Sequence, residues 1–280
     1  MIIDCHTHVM PPRMQNKRRQ YAETDPCFSI LYANDKARLA TAEELIASMD
    51  KNEIDISVIL NIGWTTHELC VETNDYILEA INRYPDRLVG FGAVQPNSIE
   101  ATIEEVERLA CGGIKGIGEL RPDVQLFDLT DDEIMAPLIE VMNRHHLSLL
   151  LHASEPIGHS YPGKGMVTPD ILYPFIARHP QLNIICAHWG GGLPFYALMP
   201  EVKQALNNVY FDSAASPFLY NPQIYRIVTE ITGSRHVLFG SDYPLMEPNR
   251  LINEIKSINL APETERQILG ENARQLLGLV

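Results

Sequence analysis

Positive charge is scarce in this chain: 22 Lys and Arg stand against 36 Asp and Glu, a formal balance of −14. Such a field repels phosphate backbones and anionic lipid, which argues against nucleic acid and membrane surfaces as partners. Long apolar runs are absent too, none approaching the roughly 18 residues of a spanning helix. Cysteines are few, five and unpaired in number, with no C-x-x-C, so a disulfide framework or thiolate metal site is disfavoured and reduced thiols are expected. No Gly-x-Ser-x-Gly elbow, Walker loop or dinucleotide fingerprint occurs; Gly112-Gly113 and Gly190–Gly192 lack the required spacing. The opening Met-Ile-Ile-Asp-Cys-His has neither a basic lead nor a hydrophobic signal segment, so the expected location is cytoplasmic.

What is present is alternation. With 45% apolar and 21% charged residues, 280 residues are enough for one large folded core. Eight short apolar runs read as strands: 2–6, 56–61, 88–94, 114–119, 147–152, 182–188, 209–212 and 236–242. Between them lie stretches with helix-start chemistry. Thr41-Ala-Glu-Glu44 and Thr130-Asp-Asp-Glu133 fit the capping box, and Thr168-Pro169 puts proline at a first helical position. Strand–helix alternation of this length predicts one α/β domain over residues 1–280, a closed (β/α)8 barrel. Residues 11–40 form an insertion after the first strand, carrying Lys17-Arg18-Arg19. It reads either as a lid or binding segment or as a solvated excursion.

Chemistry in such a barrel gathers where the strands end at their C-terminal edge. His6 and His8 end the first strand two residues apart, hence on one face. Glu119 ends the fourth, His152 the fifth, His188 the sixth and Asp242 the eighth. Ten histidines in the whole chain would rarely put so many at strand ends. Each has a plainer reading: satisfied rim histidines, a turn-initiating Asp242, or a Glu119–Arg121 ion pair. His67 and His159 are expected in solvated loops, and His145, His146, His179 and His236 at helix ends or a strand start. Together the strand-end groups point to a metal site of imidazole and carboxylate, with a divalent cation, zinc first and manganese or iron as alternatives.

These residues resemble the amidohydrolase superfamily, in its amidohydrolase-related family 2 branch. The likeness runs from Asp4-Cys-His-Thr-His8 through His152, His188-Trp-Gly-Gly-Gly192 and Gly240-Ser-Asp-Tyr-Pro244 to Gly270-Glu-Asn-Ala-Arg. It implies that His6, His8, His152 and Asp242 ligate metal. It further implies that His188 holds a second ion or orients water, and that Asp242 also transfers the proton. The branch contains hydrolases and nonoxidative decarboxylases. Gly118-Glu119 looks like the fourth-strand motif of TatD-type hydrolases, where the glutamate bridges two metals, so one or two ions are open. On that glutamate the expectation is hydrolysis of an amide, ester or lactone in a small carboxylated molecule. Decarboxylation of an aromatic or unsaturated carboxylate is the alternative, and a non-catalytic metal or metabolite module the third reading. Trp64, Arg121, Tyr161 and Trp189 are expected to shape the substrate pocket, with Arg121 or the Arg13–Arg19 stretch neutralising a carboxylate. Partners are a small molecule and, open on composition, a second copy of the chain.

Overall fold

The computed structural model describes residues 1–279. Eight parallel strands, β1 (Ile3–His8), β2 (Ile56–Leu60), β3 (Leu88–Gly92), β4 (Gly116–Leu120), β5 (Ser148–Leu151), β6 (Ile184–Cys186), β7 (Val209–Asp212) and β8 (Val237–Leu238), pair in chain order. The first and last runs meet as well. Cys5 N–H donates to Phe239 O at 2.8 Å, Asp242 N–H to His6 O at 2.8 Å and His8 N–H to Tyr243 O at 2.7 Å. These bonds close the expected (β/α)8 barrel, so residues 234 to 236 positions apart in sequence become neighbours at the rim.

Two irregularities place the chemistry. Between Asp4 and Thr7 of β1, and between Ile117 and Leu120 of β4, three residues span what two cover on the neighbouring strand. An extra residue re-aims the side chains beside it, and these bulges lie at His6 and at Glu119. Gly118 is required for the second: its φ is +148°, and a Cβ there would stand 2.5 Å from Leu150 O. Strands β5 and β6 end before the expected positions, so His152 and His188 open the following loops.

The barrel is filled from inside by Ile3, Cys5, Val58, Leu60, Phe91, Leu150, Ile185 and Leu238, with Ala273 and Leu277 of the closing helix beneath. The helices pack outside on a second, larger apolar layer. Thr41 caps helix Ala42–Asn52 with the full reciprocal box. Helix Asp132–Arg144 departs from expectation: Asp131 caps it by accepting from Glu133 N–H, while Thr130 bonds Asp128. The closing segment is not one helix but Pro262–Arg266, a π turn and Asn272–Leu276, and Phe239 N–H donates to Ile268 O within the turn. All five cysteines are free.

The excursion after β1 is folded rather than irregular. It forms helices Pro12–Asn16, Arg18–Thr24 and Pro26–Tyr32. Met14, Cys27, Phe28 and Tyr32 bury themselves against Ile62, Trp64, Cys70 and Ala93. Asp25, itself buried, ties the third helix down: its oxygens accept from Phe28 N, Thr65 N and Thr65 Oγ1 at 2.6–2.9 Å. No described helix is long and apolar enough to cross a membrane.

Candidate metal centre and active site

Six side chains from five strand ends converge at the mouth. His6 Nε2 and His8 Nε2 lie 3.1 Å apart. Glu119 sits between two imidazole pairs and turns one oxygen to each. Its Oε2 is 3.7 Å from His6 Nε2 and 3.6 Å from His8 Nε2, whereas its Oε1 is 2.8 Å from His152 Nδ1 and 3.4 Å from His188 Nε2. Asp242 closes the first pair, with Oδ1 3.8 and 3.5 Å from His6 and His8. Its left-handed backbone, φ +64°, turns the chain at that point.

Sequence reading missed the residue that organises this group. Asp212, at the end of β7 and wholly buried, accepts from His6 Nδ1 at 2.8 Å and from the His188 and Ala214 main-chain N–H groups at 2.9 and 3.0 Å. Since the carboxylate can only accept, His6 must carry its proton on Nδ1, leaving the Nε2 lone pair directed into the site. His188 is oriented likewise: its Nδ1–H donates to Ala214 O at 3.1 Å, so Nε2 faces Glu119. The signal was available, for Asp212 ends its strand as Glu119 does, but the pairing with His6 spans 206 residues.

The charges say what the group is suited to hold. Burial would strip a proton from His6, but Asp212, Glu119 and Asp242 outweigh it and push the imidazole up to about 10. Burial likewise opposes charge on His188, and Glu119 with Asp242 raises it to about 9. His152 goes the other way, to about 4, through burial and nearby Arg121, and burial also lowers His8. Glu119 stays ionised well below the usual carboxylate range despite burial, because His152, His188 and His6 surround it. The mouth is thus an anionic cradle that demands positive charge, which a proton or a metal cation on the His6 and His188 Nε2 atoms can supply. The His6 and His8 Nε2 atoms, 3.1 Å apart, suit adjacent ligands on one cation at about 2.1 Å each. His8 Nδ1 has no hydrogen-bond partner, which leaves that ring without a competing tether. This donor set fits a divalent metal ion, and the three overlapping ligand triads are His6–His8–Glu119, His6–His188–Asp242 and Glu119–His152–His188.

The other expected site residues divide. Tyr161 lines a cleft of about 360 Å³ beside the mouth, with Glu155, Phe195, Tyr196 and Tyr220, and donates to Glu155 Oε2 at 3.2 Å. Arg121 is buried next to His152 and pairs with Asp123 at 3.4 Å, not with Glu119. Trp64 and Trp189 have no exposed surface. Trp64 stacks on Phe28 of the excursion and donates to Asn61; Trp189 packs edge-on against Tyr225 and donates to Ser216. Both indoles therefore support walls rather than present a face. His67 opens helix His67–Arg83 instead of lying in a loop, whereas His159 is exposed in one.

A closed barrel carrying an imidazole–carboxylate metal cradle at its C-terminal mouth is the architecture of a metal-dependent enzyme. The family model Amidohydro_2, described as amidohydrolase, matches residues 3–279, and the chain belongs to that family. It is 22% identical to the 2-amino-3-carboxymuconate-6-semialdehyde decarboxylase of Dictyostelium discoideum, an alignment covering 99% of this chain and 91% of that protein. It is 28% identical to the 6-methylsalicylic acid decarboxylase of Penicillium expansum, covering 95% and 93%. Among solved structures, the 5-carboxyvanillate decarboxylase of Novosphingobium aromaticivorans, in complex with manganese and 4-hydroxy-3-methoxy-5-nitrobenzoic acid, superposes with a TM-score of 0.82. That likeness has 20% identity and covers 100% of this chain and 96% of the other. The protein is an enzyme of the amidohydrolase superfamily. The expectation of hydrolysis is corrected by these relatives, which are decarboxylases matched along nearly their whole length. A strand-four glutamate was a poor guide because it describes how cations are held, not which bond breaks.

Proposed function

We propose that the protein is a metal-dependent nonoxidative decarboxylase of a small aromatic or unsaturated carboxylate. The observation that carries this reading is end-to-end similarity to decarboxylases in a chain whose mouth gathers six metal-ligating side chains. His6, His8, Glu119 Oε2 and Asp242 would hold one divalent cation, and Glu119 Oε1, His152 and His188 offer a second place. Nitrogen and oxygen donors without thiolate suit zinc or manganese. When bound, such a cation supplies Lewis acidity toward the substrate's carboxylate or an adjacent oxygen.

The chain's own groups do the rest. Asp212 fixes the His6 tautomer, and Ala214 O fixes His188, so both rings present Nε2 without a rotation at the moment of reaction. His188 thereby orients the reacting group, and Asp242 delivers a proton to the carbon bearing the carboxylate. The bond to the carboxyl carbon breaks with its electron pair left on the ring or alkene carbon, carbon dioxide leaves, and solvent reprotonates Asp242. Tyr161, Tyr220 and Phe195 line the neighbouring cleft with aromatic rings, and its roughly 360 Å³ is within the usual range for small-molecule sites.

The test is a panel of hydroxybenzoates and unsaturated diacids, alongside lactones, esters and amides, given to protein loaded with manganese or zinc. Carbon dioxide release from an acid, abolished by chelator and restored by metal, is expected. Cleavage of a lactone, ester or amide with no acid decarboxylated would overturn the reading.

A further inference from the structure

The cradle is not the whole of the polar mouth. Arg121 follows β4 directly, and its side chain is 2% exposed. Its position is built rather than incidental. The main-chain N–H donates to Gln125 Oε1 at 2.9 Å, while Gln125 Nε2 donates onward to Trp64 O and Val94 O. The stem crosses Gly63, where a Cβ would stand 2.7 Å from Arg121 Cβ and 3.1 Å from Cγ. The head ends over Gly165. A Cβ on that glycine would meet Asp123 Oδ2 at 2.7 Å, Arg121 Nη2 at 2.9 Å and His152 Cδ2 at 3.0 Å. Guanidinium and ligand imidazole thus pack side by side on a backbone that has no room for a side chain.

The guanidinium is under-used there. Nη2 reaches Asp123 only at 3.4 Å, and Nε and Nη1 have no partner. Three of the five N–H donors of an arginine are therefore idle in a buried position. Burying a cation costs free energy that the single long contact to Asp123 only partly offsets. The planar fork matches a carboxylate in two parallel hydrogen bonds, which a lysine does not reproduce.

We propose that Arg121, over Gly165, is the seat for a substrate carboxylate beside the metal cradle. Resting on the decarboxylase reading for its place in the reaction, the seat takes one of two carboxylates. It holds either the group that leaves or a second one the product keeps. In a chain of net charge −14 it is also the feature that lets an anion approach.

Calorimetric binding of benzoate and of isophthalate to the metal-loaded protein separates these outcomes. Arg121→Gln is expected to weaken at least one acid tenfold or more with metal content and melting temperature unchanged. Loss for both acids alike assigns the leaving carboxylate; loss for isophthalate alone assigns the retained one. Arg121→Lys should recover part of the affinity, charge without the fork. Gly165→Ala, whose methyl would push the Arg121 guanidinium from its place without removing it, should weaken the same acid and serves should Arg121→Gln fail to fold. Equal binding by wild type and variants, or no detectable binding of either acid by wild type, overturns the seat. Arg121-dependent binding with no acid in any panel decarboxylated would sink the proposed reaction and leave the seat standing. Decarboxylation with kcat/KM unaffected by Arg121→Gln would do the reverse.

Discussion

The two ends of this barrel are made from the same eight strands and differ in almost every other respect. At the floor, Met1, Asp50, Glu53, Asp55, Asp86, Arg87 and Leu279 border a hollow of about 770 Å³, twice the volume of the cleft at the mouth. Its carboxylates are exposed. At the mouth, Glu119, Asp212, His6, His152 and His188 are all buried and hold one another at 2.8–3.7 Å. Volume alone would direct attention to the wrong end. Chemistry follows from groups kept away from water, where a charge must be answered by another charge.

The sharpest way to break that contrast is at Asp242. Asp242→Asn removes the proposed proton donor with little change of shape, and the rate of carbon dioxide release should fall by about 10²–10⁴. Steady-state kinetics with metal content measured on the same sample checks it. An unchanged kcat at full occupancy would move the proton elsewhere. Asp212→Asn should act more gently. The amide can donate as well as accept, so His6 Nδ1 loses its obligatory acceptor and the tautomer is no longer fixed. Metal affinity should drop roughly 10–100-fold, read by competition with a chelator, and fluorescence-detected melting should show a smaller metal-dependent rise.

How far the sequence reached follows the same division. The rim was legible because a polar residue closing an apolar run is visible in one dimension: His6, His8 and Glu119 lie in the last residues of their strands, while His152, His188 and Asp242 follow strands that stop one, two and four residues before them. What escaped depends on pairs distant in the chain. Asp212 matters through His6, and Trp64 is turned into a wall support by Phe28 of the excursion after β1. The excursion was opaque because its helices are short, and Met14, Cys27, Phe28 and Tyr32 show no long period. Their burial is decided by the barrel beneath them. The reaction was least legible, since hydrolysis and decarboxylation ask similar things of a metal's ligands.

A pH experiment sharpens the contrast from the floor side. His236 immediately precedes β8 next to the floor, 6% exposed, with Nδ1 donating to Val209 O at 2.7 Å. Burial is the largest influence and holds its affinity for protons below the ordinary histidine value. The unfolded chain therefore binds a proton that the folded one resists. The stability this neutral ring contributes is complete above about pH 6.5 and is lost as the pH falls. Melting temperature should decline from pH 7 to pH 5.5, and His236→Asn, which can still donate to Val209 O, should flatten part of that decline. An identical pH profile in the variant would remove His236 from the account.

The smallest effect belongs to the floor hollow itself. Asp86 is exposed, and Arg87 is already occupied by Asp50 at 2.9 Å and by the carbonyl groups of Ile54 and Asp55 at 3.0–3.1 Å. A charge with water around it gains little from any one neighbour. Asp86→Asn should therefore change stability by no more than about 0.5 kcal/mol and leave carbon dioxide release at the wild-type rate. The comparison is pointed because the substitution is chemically the same as Asp242→Asn: one carboxylate becomes an amide at either end of one barrel. If Asp86→Asn cost activity on the scale of Asp242→Asn, the larger hollow would have to be part of the working site, and burial of the mouth's charges would not be what separates the two ends.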